Sequence, residues 1–564
     1  MKTLFVEKTA SKGFALGKAY VARNQELSAD LGIITPIQIE QEIDKYNKAV
    51  KEATAQIEEL AKNSDIFRAY LELVQDVVLY EGVLEKIKSE YQNAQLALEN
   101  TALEYCAIFD CMEDEYMRER SADIKDIRNR LMRLLKGINQ PSFDGIHEKV
   151  ILIAEDLSPS DTSSINMNYV LGFATELGGV TSHVSIIARN LGLPCLVGVK
   201  DLLKNIKNND FIIMDATNGK LMVNPESETI YEYEVLQEEY RKHKNELEAL
   251  SFLPPTTLDN RTVKVYANVG NLEDIKKAER HHIDGIGLFR TEFLYMENVH
   301  FPTEDEQFEV YKEAALLCSK ELIIRTLDIG GDKSLSYFPF EHEENPFLGW
   351  RAIRISLELE SVFKAQIRAI LRASAFGHVK IMYPMIISME ELNEANSLLA
   401  VCKQELSFEN ISFDPNIKIG IMVETPAAVL CIENFAKHVD FFSIGTNDLT
   451  QYILAVDRGN KKIANMYNSF HPAVVQSIKR IIDAAHAQGI EVGMCGELAG
   501  DENATTLLLG LGLDEFSMSA GEAANIKNVI RNVSYEKAKI CAEKAASVYT
   551  LQEVKDCLLN CDKQ

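Results

Sequence analysis

Residues 417–448 read IKIGIMVETPAAVLCIENFAKHVDFFSIGTND, and this stretch contains a complete strand–helix–strand pattern. The apolar run Ile417–Val423 is followed by a helical stretch, and Phe441–Ile444 forms a second apolar run. Further runs of the same kind are Val263–Ala267, Gly285–Phe289, Leu322–Ile324, Val379–Tyr383, Glu491–Met494 and Glu515–Met518. Eight strand–helix units within residues 256–564 predict a (β/α)8 barrel of the TIM type.

Polar or reactive residues stand where these predicted strands end, which is the end of such a barrel that carries functional groups. They are Asn268, Arg290, Glu292, Arg325, Glu424, Asn447, Asp448 and Cys495, with Arg458 in the loop region beyond the sixth strand. Arginine side chains suit phosphate and carboxylate groups, and the carboxylates Glu424 and Asp448 suit Mg²⁺. Cys495 is a proton donor, a thiolate or a small buried apolar residue. The set predicts a pocket for a small phosphate ester that also carries a carboxylate.

A second candidate site lies in the stretch GGVTSH, residues 178–183. The two glycines predict a turn, Ser182 a helix N-cap, and Gly192 the end of a helix whose first turn carries His183. The N–H groups at a helix start favour an anion, so a phosphoryl group on His183 would be well placed there. Taken alone, His183 is more simply explained as an ordinary surface or core histidine.

The amino-terminal half alternates between two kinds of pattern. Residues 1–25 predict one or two short strands, and strand patterns interleaved with helical ones resume at residue 149, so we expect one compact α/β unit. Residues 35–137 nearly lack Gly and Pro and predict a bundle of three to five helices. The expected parts are 1–25 with 145–225 (α/β), 26–144 (helical), 226–255 (a charged helical connector) and 256–564 (the barrel).

The formal net charge of −26, from 59 basic and 85 acidic residues, argues against nucleic acid or an anionic membrane as a partner. The acidic helical faces of residues 26–144 are either solvated or dock a basic partner. No apolar run suits a signal peptide or a membrane span, so we expect a cytoplasmic protein without membrane insertion. Ten cysteines without a CxxC pair indicate neither a zinc site nor a disulfide framework.

Six stretches of the sequence resemble the motifs of one family of enzymes. They are GGVTSH (178–183), GIGLFRTEF (285–293), NPFLGWR (345–351), IMVETP (421–426), GTNDLTQY (445–452) and GMCGELAG (493–500). In order and over nearly the whole chain, they are similar to the enzyme I family of the bacterial PEP:sugar phosphotransferase system, where PEP is phosphoenolpyruvate. The resemblance implies a multidomain α/β fold. A swivelling α/β phosphohistidine domain carries an inserted, carrier-binding helical bundle, and a PEP-binding TIM-type barrel that forms a homodimer follows it.

The resemblance also implies a function and the residues that perform it. His183 would take the phosphoryl group from PEP as a phosphohistidine nucleophile and pass it to the histidine-containing carrier protein HPr, with release of pyruvate. The implied roles are PEP binding for Arg290, Arg325, Asn447, Asp448 and Arg458, Mg²⁺ binding for Glu424 and Asp448, proton donation for Cys495, and support of His183 by Thr162 and Arg189. The charged connector would then be the hinge on which the phosphohistidine domain moves.

Two other readings compete with this one. The PEP synthase and pyruvate phosphate dikinase group shares the motifs but needs an ATP-binding domain, and neither GxxxxGK[ST] nor a convincing GxGxxG occurs here. A non-catalytic regulatory or scaffold protein on the same fold would not need the intact set of histidine, arginines, acids and cysteine. The stretch Ser519–Ala524 departs from the family pattern.

Overall fold

The computed structural model of the 564-residue chain has two compact units, Met1–His243 and Lys244–Gln564. The residues that it describes are 2–6, 9–22, 29–30, 32–61, 70–71, 73–110, 115–138, 146–157, 161–162, 165–179, 182–331, 333, 335, 337–460 and 462–561. Within these ranges, no helix combines the length and the apolar composition needed to cross a lipid bilayer.

An eight-stranded sheet forms the core of the first unit. Its strands are β1 (Lys2–Phe5), β2 (Thr9–Ser11), β3 (Phe14–Ala22), β4 (Val150–Ala154), β5 (Val170–Thr175), β6 (Cys195–Leu196), β7 (Phe211–Asp215) and β8 (Lys220–Val223). The strand order is β1-β8-β7-β3-β4-β5-β6-β2, so the amino-terminal strands complete the sheet of the later ones, as predicted. The expectation of one or two strands before residue 25 was wrong. Three form, because Gly13 (φ +136°) turns the chain between β2 and β3.

Four helices are described between β3 and β4. They are α1 (Ile39–Ala61), α2 (Val77–Ser89), α3 (Ala94–Asp110) and α4 (Glu115–Lys136). Their common core includes Tyr46, Ala53, Ile57, Val83, Ile87, Leu98 and Leu131. A 3₁₀ turn at Pro36–Gln38 precedes α1, and the Thr35 N–H donates to Gln38 Oε1 at 2.9 Å. The predicted helical character of this segment is confirmed.

Three more helices follow in the chain: α5 (His183–Leu191), α6 (Leu202–Asn205) and α7 (Ser227–Ser251). The connector expected at 226–255 is thus largely the single helix α7. Its first half packs on the sheet of the first unit. Gln237 Nε2 donates to the Phe14 carbonyl at 2.9 Å, and the Tyr240 ring lies edge-on to Phe14 at 5.6 Å. The Tyr233 hydroxyl donates to Asp215 Oδ2 at 3.1 Å.

The second unit is a closed barrel of eight parallel strands. They are β9 (Lys264–Val269), β10 (Gly285–Arg290), β11 (Glu321–Arg325), β12 (His378–Tyr383), β13 (Lys418–Val423), β14 (Phe441–Ile444), β15 (Glu491–Met494) and β16 (Glu515–Met518). Each strand coincides with one predicted apolar run to within two residues at either end. The predicted (β/α)8 barrel is therefore confirmed.

Helices surround the barrel and bury the outward side chains of its strands. They are α8 (Leu272–Arg280), α9 (Glu292–Met296), α10 (Glu304–Leu317), α11 (Ile353–Glu358), α12 (Glu360–Ala373), α13 (Met389–Phe408), α14 (Pro426–Leu430), α15 (Ile432–Phe435), α16 (Thr446–Leu454), α17 (Pro472–Gln488), α18 (Glu502–Leu511), α19 (Ala523–Arg531), α20 (Tyr535–Ser547) and α21 (Leu551–Cys561). A separate buried cluster contains Leu288, Ile323, Met382, Met422, Phe441 and Cys495.

The cysteines differ from the sequence expectation at one position. Cys541, on α20, is disulfide-bonded. No spacing rule indicated this bond, because a disulfide depends on which helices pack together and not on a local motif.

Candidate active site

Two arginines and three carboxylates form a chain of ion pairs among residues that follow the barrel strands. Arg325, the last residue of β11, donates from Nη2 to Glu292 Oε1 at 2.7 Å, and its Nη1 lies 3.0 Å from Asp328 Oδ2. Arg351 Nη2 donates to Asp328 Oδ1 at 3.0 Å and to Asp448 Oδ2 at 3.2 Å. All five side chains are buried, with at most 7% of each residue exposed. Such pairs retain their geometry only when each partner is present.

The charged groups in the chain of ion pairs stabilise one another in their ionised forms. Burial acts to raise the pKa of Glu292, but Arg325 and Lys333 outweigh it and hold that pKa below its ordinary value. The same balance, with Arg325, Lys333 and Arg351 as the cations, holds the pKa of Asp328 low. Burial acts to lower the pKa of Arg325, and Glu292 and Asp328 raise it instead. Glu292, Asp328 and Arg325 are therefore charged at neutral pH.

Glu424 directly follows β13 and is also buried. Its Oε1 accepts a hydrogen bond at 2.7 Å from the backbone N–H of Met385, a residue in the left-handed region with φ of +57°. Burial, followed by the charges of Asp448 and Asp328, raises the pKa of Glu424 to about 8. A buried carboxyl whose pKa is raised by neighbouring negative charge lies at a position that favours a cation.

Glu424 and Asp448 fit the requirements of Mg²⁺. Asp448 Oδ1 is buried and has no hydrogen-bond partner among the described residues, and Arg458 Nη2 lies 3.6 Å from it. The described part of the chain contains no group of three or more His, Cys, Asp or Glu side chains placed to hold a metal. Mg²⁺ nevertheless commonly takes only one or two carboxylates and completes its shell with waters and substrate phosphate oxygens. The two carboxylates therefore suit a Mg²⁺ ion that binds together with a phosphate ligand.

A cavity of about 800 Å³ is lined by Arg290, Asn447 and Cys495. Arg290 ends β10, is exposed, and forms no hydrogen bond or ion pair with the described residues through its side chain. Asn447 is occupied differently, since its Nδ2 donates to Glu497 Oε1 at 3.2 Å and its Oδ1 accepts the Glu497 N–H at 3.0 Å. The cavity therefore offers an anion one unpartnered guanidinium and one amide that would have to exchange partners.

Cys495 connects the cavity with the buried ion pairs. It packs in one cluster with Met422, and Arg325 Nη1 lies 3.8 Å from Met422 Sδ. Burial raises the pKa of Cys495 to about 11. Of the three roles that the sequence left open for Cys495, the raised pKa disfavours the thiolate at neutral pH and leaves the two roles of a protonated thiol, proton donor and small buried apolar residue.

The helix predicted to follow the stretch GGVTSH is present as α5. α5 begins at His183 after Ser182 (φ −58°, ψ 156°) and ends before Gly192 (φ 64°), which confirms the predicted bounds. Ser182 is the N-cap residue, as predicted, but its side chain makes no cap hydrogen bond, because its Oγ lies 2.9 Å from Ser185 Oγ. Ser185 Oγ in turn donates to the Gly179 carbonyl at 2.8 Å. The side chain of His183 and residues 180–181 lie outside the described part of the chain.

Thr162 and Arg189 are the two residues expected to support His183. Thr162 is buried in the short segment 161–162. Arg189 lies in the last turn of α5, where its Nε donates to the Ser185 carbonyl at 3.3 Å. Their expected relation to His183 stays a prediction.

Asp328, Lys333 and Arg351 belong to the ion-pair chain but were not assigned a role from the sequence. Lys333 Nζ donates to Glu292 Oε1 at 2.8 Å. The strand-end rule finds Arg325 but not these three, because they lie within the long segment 326–352 that separates β11 from α11. Arg351 was visible only as the last residue of the motif NPFLGWR. The sequence signal that could have found Asp328 and Lys333 is that both follow the strand-end residue Arg325 within eight residues.

Comparison with known proteins places the chain among PEP-utilising enzymes. Residues 8–120 match the family model of the PEP-utilising enzyme N-terminal domain, residues 146–219 that of the mobile domain, and residues 244–535 that of the PEP-binding domain. Three successive family models, all of PEP-utilising enzymes, therefore place the chain in this class.

Individual relatives narrow the class. The chain is 45% identical to the phosphoenolpyruvate-protein phosphotransferase of Haemophilus influenzae, over 97% of this chain and 96% of that protein. It is 42% identical to that of Geobacillus stearothermophilus over the same shares. A solution NMR structure of an enzyme I protein is 34% identical, covers 42% of this chain and 99% of that one, and has a TM-score of 0.38. The chain belongs to the family of phosphoenolpyruvate-protein phosphotransferases, which are transferases.

Proposed function

We propose that this chain transfers the phosphoryl group of PEP to its own His183 and then to HPr, with release of pyruvate, as the first step of sugar uptake by the phosphotransferase system. The observation that carries the proposal is the buried set of Arg325, Arg351, Glu424 and Asp448 beyond the strand ends of the barrel, in a chain of this family. PEP joins a phosphate to a carboxylate, and arginine side chains bind both groups in a planar, bidentate manner.

Unpartnered donors support binding of such an anion. Arg325 Nε, Arg351 Nε and Arg458 Nη1 are buried and have no hydrogen-bond partner among the described residues. A buried N–H group without a partner is costly, and a substrate oxygen would satisfy it. Together with Arg290 in the cavity, these arginines would bind the phosphoryl and carboxylate groups. Asn447 would exchange Glu497 for a phosphate oxygen.

Glu424 and Asp448 would hold Mg²⁺. The unpartnered Asp448 Oδ1 and the raised pKa of Glu424 support this assignment. Bound there, the ion would supply positive charge to the oxygens of the phosphoryl group and of the leaving enolate.

In the transfer step, a ring nitrogen of neutral His183 attacks phosphorus in line, and the bond between phosphorus and the enol oxygen breaks. Arg325 and its neighbours stabilise the charge on the phosphoryl oxygens. Cys495, a protonated thiol, donates its proton to the enolate carbon, which gives pyruvate, and the thiol later regains a proton from solvent. Formation of the ketone makes PEP a strong phosphoryl donor, so the protein mainly positions the reactants.

The start of α5 suits the phosphoryl group once it is on His183. Backbone N–H groups at a helix start, together with the helix dipole, favour a dianion, and Ser182 does not use its side chain to cap them. Thr162 would hydrogen-bond the unphosphorylated histidine, and Arg189 would support the same helix. HPr would then receive the group while a basic patch on it contacts the acidic helical bundle.

The proposed division of the chain follows these roles. Residues 1–25 with 145–225 would form the phosphohistidine domain, 26–144 the HPr-binding domain, 226–255 the connector and 256–564 the PEP-binding and dimerisation domain. The phosphohistidine domain would swivel on the connector, since His183 must reach both PEP and HPr. We also propose that the protein is a cytoplasmic homodimer that forms through its barrel.

Pyruvate release without nucleotide tests the proposal. The purified protein is mixed with PEP and Mg²⁺, with and without HPr, and pyruvate is measured. Without HPr, we expect an amount of pyruvate equimolar with the protein. With HPr, the amount of pyruvate should increase in proportion to the HPr added. A reaction between PEP and pyruvate that occurs only when ATP or its product nucleotide is added would favour the PEP synthase group. No reaction of PEP under any of these conditions would favour a non-catalytic protein.

A further inference from the structure

Asp328 lies between the two buried arginines of the barrel. Its Oδ1 accepts from Arg351 Nη2, and its Oδ2 lies the same 3.0 Å from Arg325 Nη1. Lys333 Nζ donates to Oδ2 at 3.3 Å and to the Asp328 carbonyl at 3.2 Å. Only 2% of Asp328 is exposed. Each carboxylate oxygen thus contacts a different arginine.

Two guanidinium groups held this close repel each other unless an anion lies between them. Asp328 supplies that anion in the free protein. Further contacts hold the same guanidinium groups. Arg325 Nη2 donates to Glu292, and Arg351 donates from Nη1 to the Tyr452 hydroxyl at 3.1 Å and from Nη2 to Asp448 Oδ2 at 3.2 Å. The Nε–H group of each arginine stays without a partner among the described residues.

We propose that Asp328 is a positioning residue that holds Arg325 and Arg351 as a preformed pair for a substrate with a phosphate and a carboxylate. This inference rests on the proposed function. Asp328 itself does not need to touch the reacting atoms. Without its charge, the two arginines would separate, and PEP would have to order them when it binds, which lowers affinity.

Strand β11, which ends at Arg325, offers a matched control at its first residue. Glu321, the first residue of β11, accepts hydrogen bonds from the Tyr266 hydroxyl at 2.6 Å and from Lys380 Nζ at 2.9 Å. Replacing Glu321 by glutamine therefore removes a carboxylate that also pairs with a lysine in the barrel. It leaves the residues beyond the carboxyl end of β11 unchanged.

The test compares Asp328→Asn, Asp328→Glu and Glu321→Gln with the wild-type chain. Single-turnover phosphorylation by PEP gives the half-saturating PEP concentration and the limiting rate, and thermal melting without ligand reports stability. Loss of one charged hydrogen bond commonly costs roughly 10- to 100-fold in binding, so we expect Asp328→Asn to raise half-saturation by that factor. Asp328→Glu, which keeps the charge, should recover part of the affinity. Glu321→Gln should lower the melting midpoint but leave half-saturation within about threefold of wild type.

Half-saturation of Asp328→Asn within about threefold of wild type would overturn the inference. An equal loss of PEP affinity in Glu321→Gln would overturn it as well, because the effect would then reflect general weakening of the barrel. If Asp328→Asn does not fold, Asp328→Ser, which also removes the charge, decides by the same measurement. Its half-saturation should lie at least about tenfold above that of wild type, and a value within about threefold would overturn the inference. Failure of the wild-type chain to accept phosphate from PEP would refute the proposed function instead.

Discussion

Cys495 should react with a thiol-alkylating reagent far more slowly than Cys431, because only the thiolate is nucleophilic. Burial raises the pKa of Cys495 from 9.0 to about 11. At pH 8 the thiolate fraction is then roughly 0.001, against roughly 0.1 for a thiol of pKa 9, a difference of about 100-fold. Cys495 is 5% exposed, so restricted access adds to this factor, whereas Cys431 is exposed.

The assay is iodoacetamide labelling of the native protein, followed by digestion and mass spectrometry of the two cysteine peptides over time. The denatured protein serves as the control, in which both cysteines should react at similar rates. Between pH 7 and 9 the rate at Cys495 should rise about tenfold per pH unit, as expected for a thiol well below its pKa. A rate at Cys495 comparable to that at Cys431 would show an ionised and accessible thiol. The assignment of Cys495 as a neutral proton donor would then be refuted.

Three substitutions elsewhere in the barrel have expected outcomes of different kinds. Arg351→Lys cannot reach both Asp328 and Asp448, so kcat/KM for PEP should fall by about 100-fold, and a loss below about fivefold would contradict the site. Burial raises the pKa of Glu515 to about 8. The stability that its neutral carboxyl allows is therefore fully present below the unfolded-state pKa of 4.5 and is lost as the pH rises through the folded-state pKa of about 8. Calorimetry should therefore show Glu515→Gln melting above wild type at pH 9, and the opposite order would contradict the buried neutral carboxyl. Gly510→Ala should lower the melting midpoint through a clash worth about 1–3 kcal/mol, since a Cβ there would lie within 3 Å of the backbone of Ala538 on α20; an unchanged midpoint would contradict this packing.

The barrel could be predicted from the sequence because each of its strands carries a short run that is rich in apolar residues and is followed by a helical pattern. A strand buried on both faces needs such a run, and β14 coincides with its predicted run Phe441–Ile444. Strands β7 and β8 of the first unit, Phe211–Asp215 and Lys220–Val223, carry runs of the same kind. Residues that stand directly at strand ends, such as Glu424, could be found by the same rule.

Arg351 could not be found in this way because its position depends on tertiary packing. It precedes Ala352, whose N–H donates to the Ile329 carbonyl at 3.0 Å. Gly330 (φ +91°) permits the close approach of this segment, since a Cβ there would lie 2.5 Å from the Trp350 carbonyl oxygen. Sequence spacing does not reveal such a contact across the segment 326–352.

The ionisation of Cys495 and the orientation of Ser182 were also beyond sequence reasoning. A cysteine in a pocket rich in arginine could be a thiolate, and only the burial of Cys495 decides for the thiol. Ser182 has the residue type and the backbone conformation of an N-cap, but Ser185 competes for its hydroxyl.

Mapping of the phosphate taken from labelled PEP tests the central claim most directly. The protein is incubated with PEP and Mg²⁺ without nucleotide, and wild type is compared with His183→Ala and with His147→Ala, a control at an exposed histidine of the first unit. We predict acid-labile, base-stable phosphate on the peptide that contains His183, retained in His147→Ala and absent from His183→Ala. Labelling that persists in His183→Ala would contradict the account.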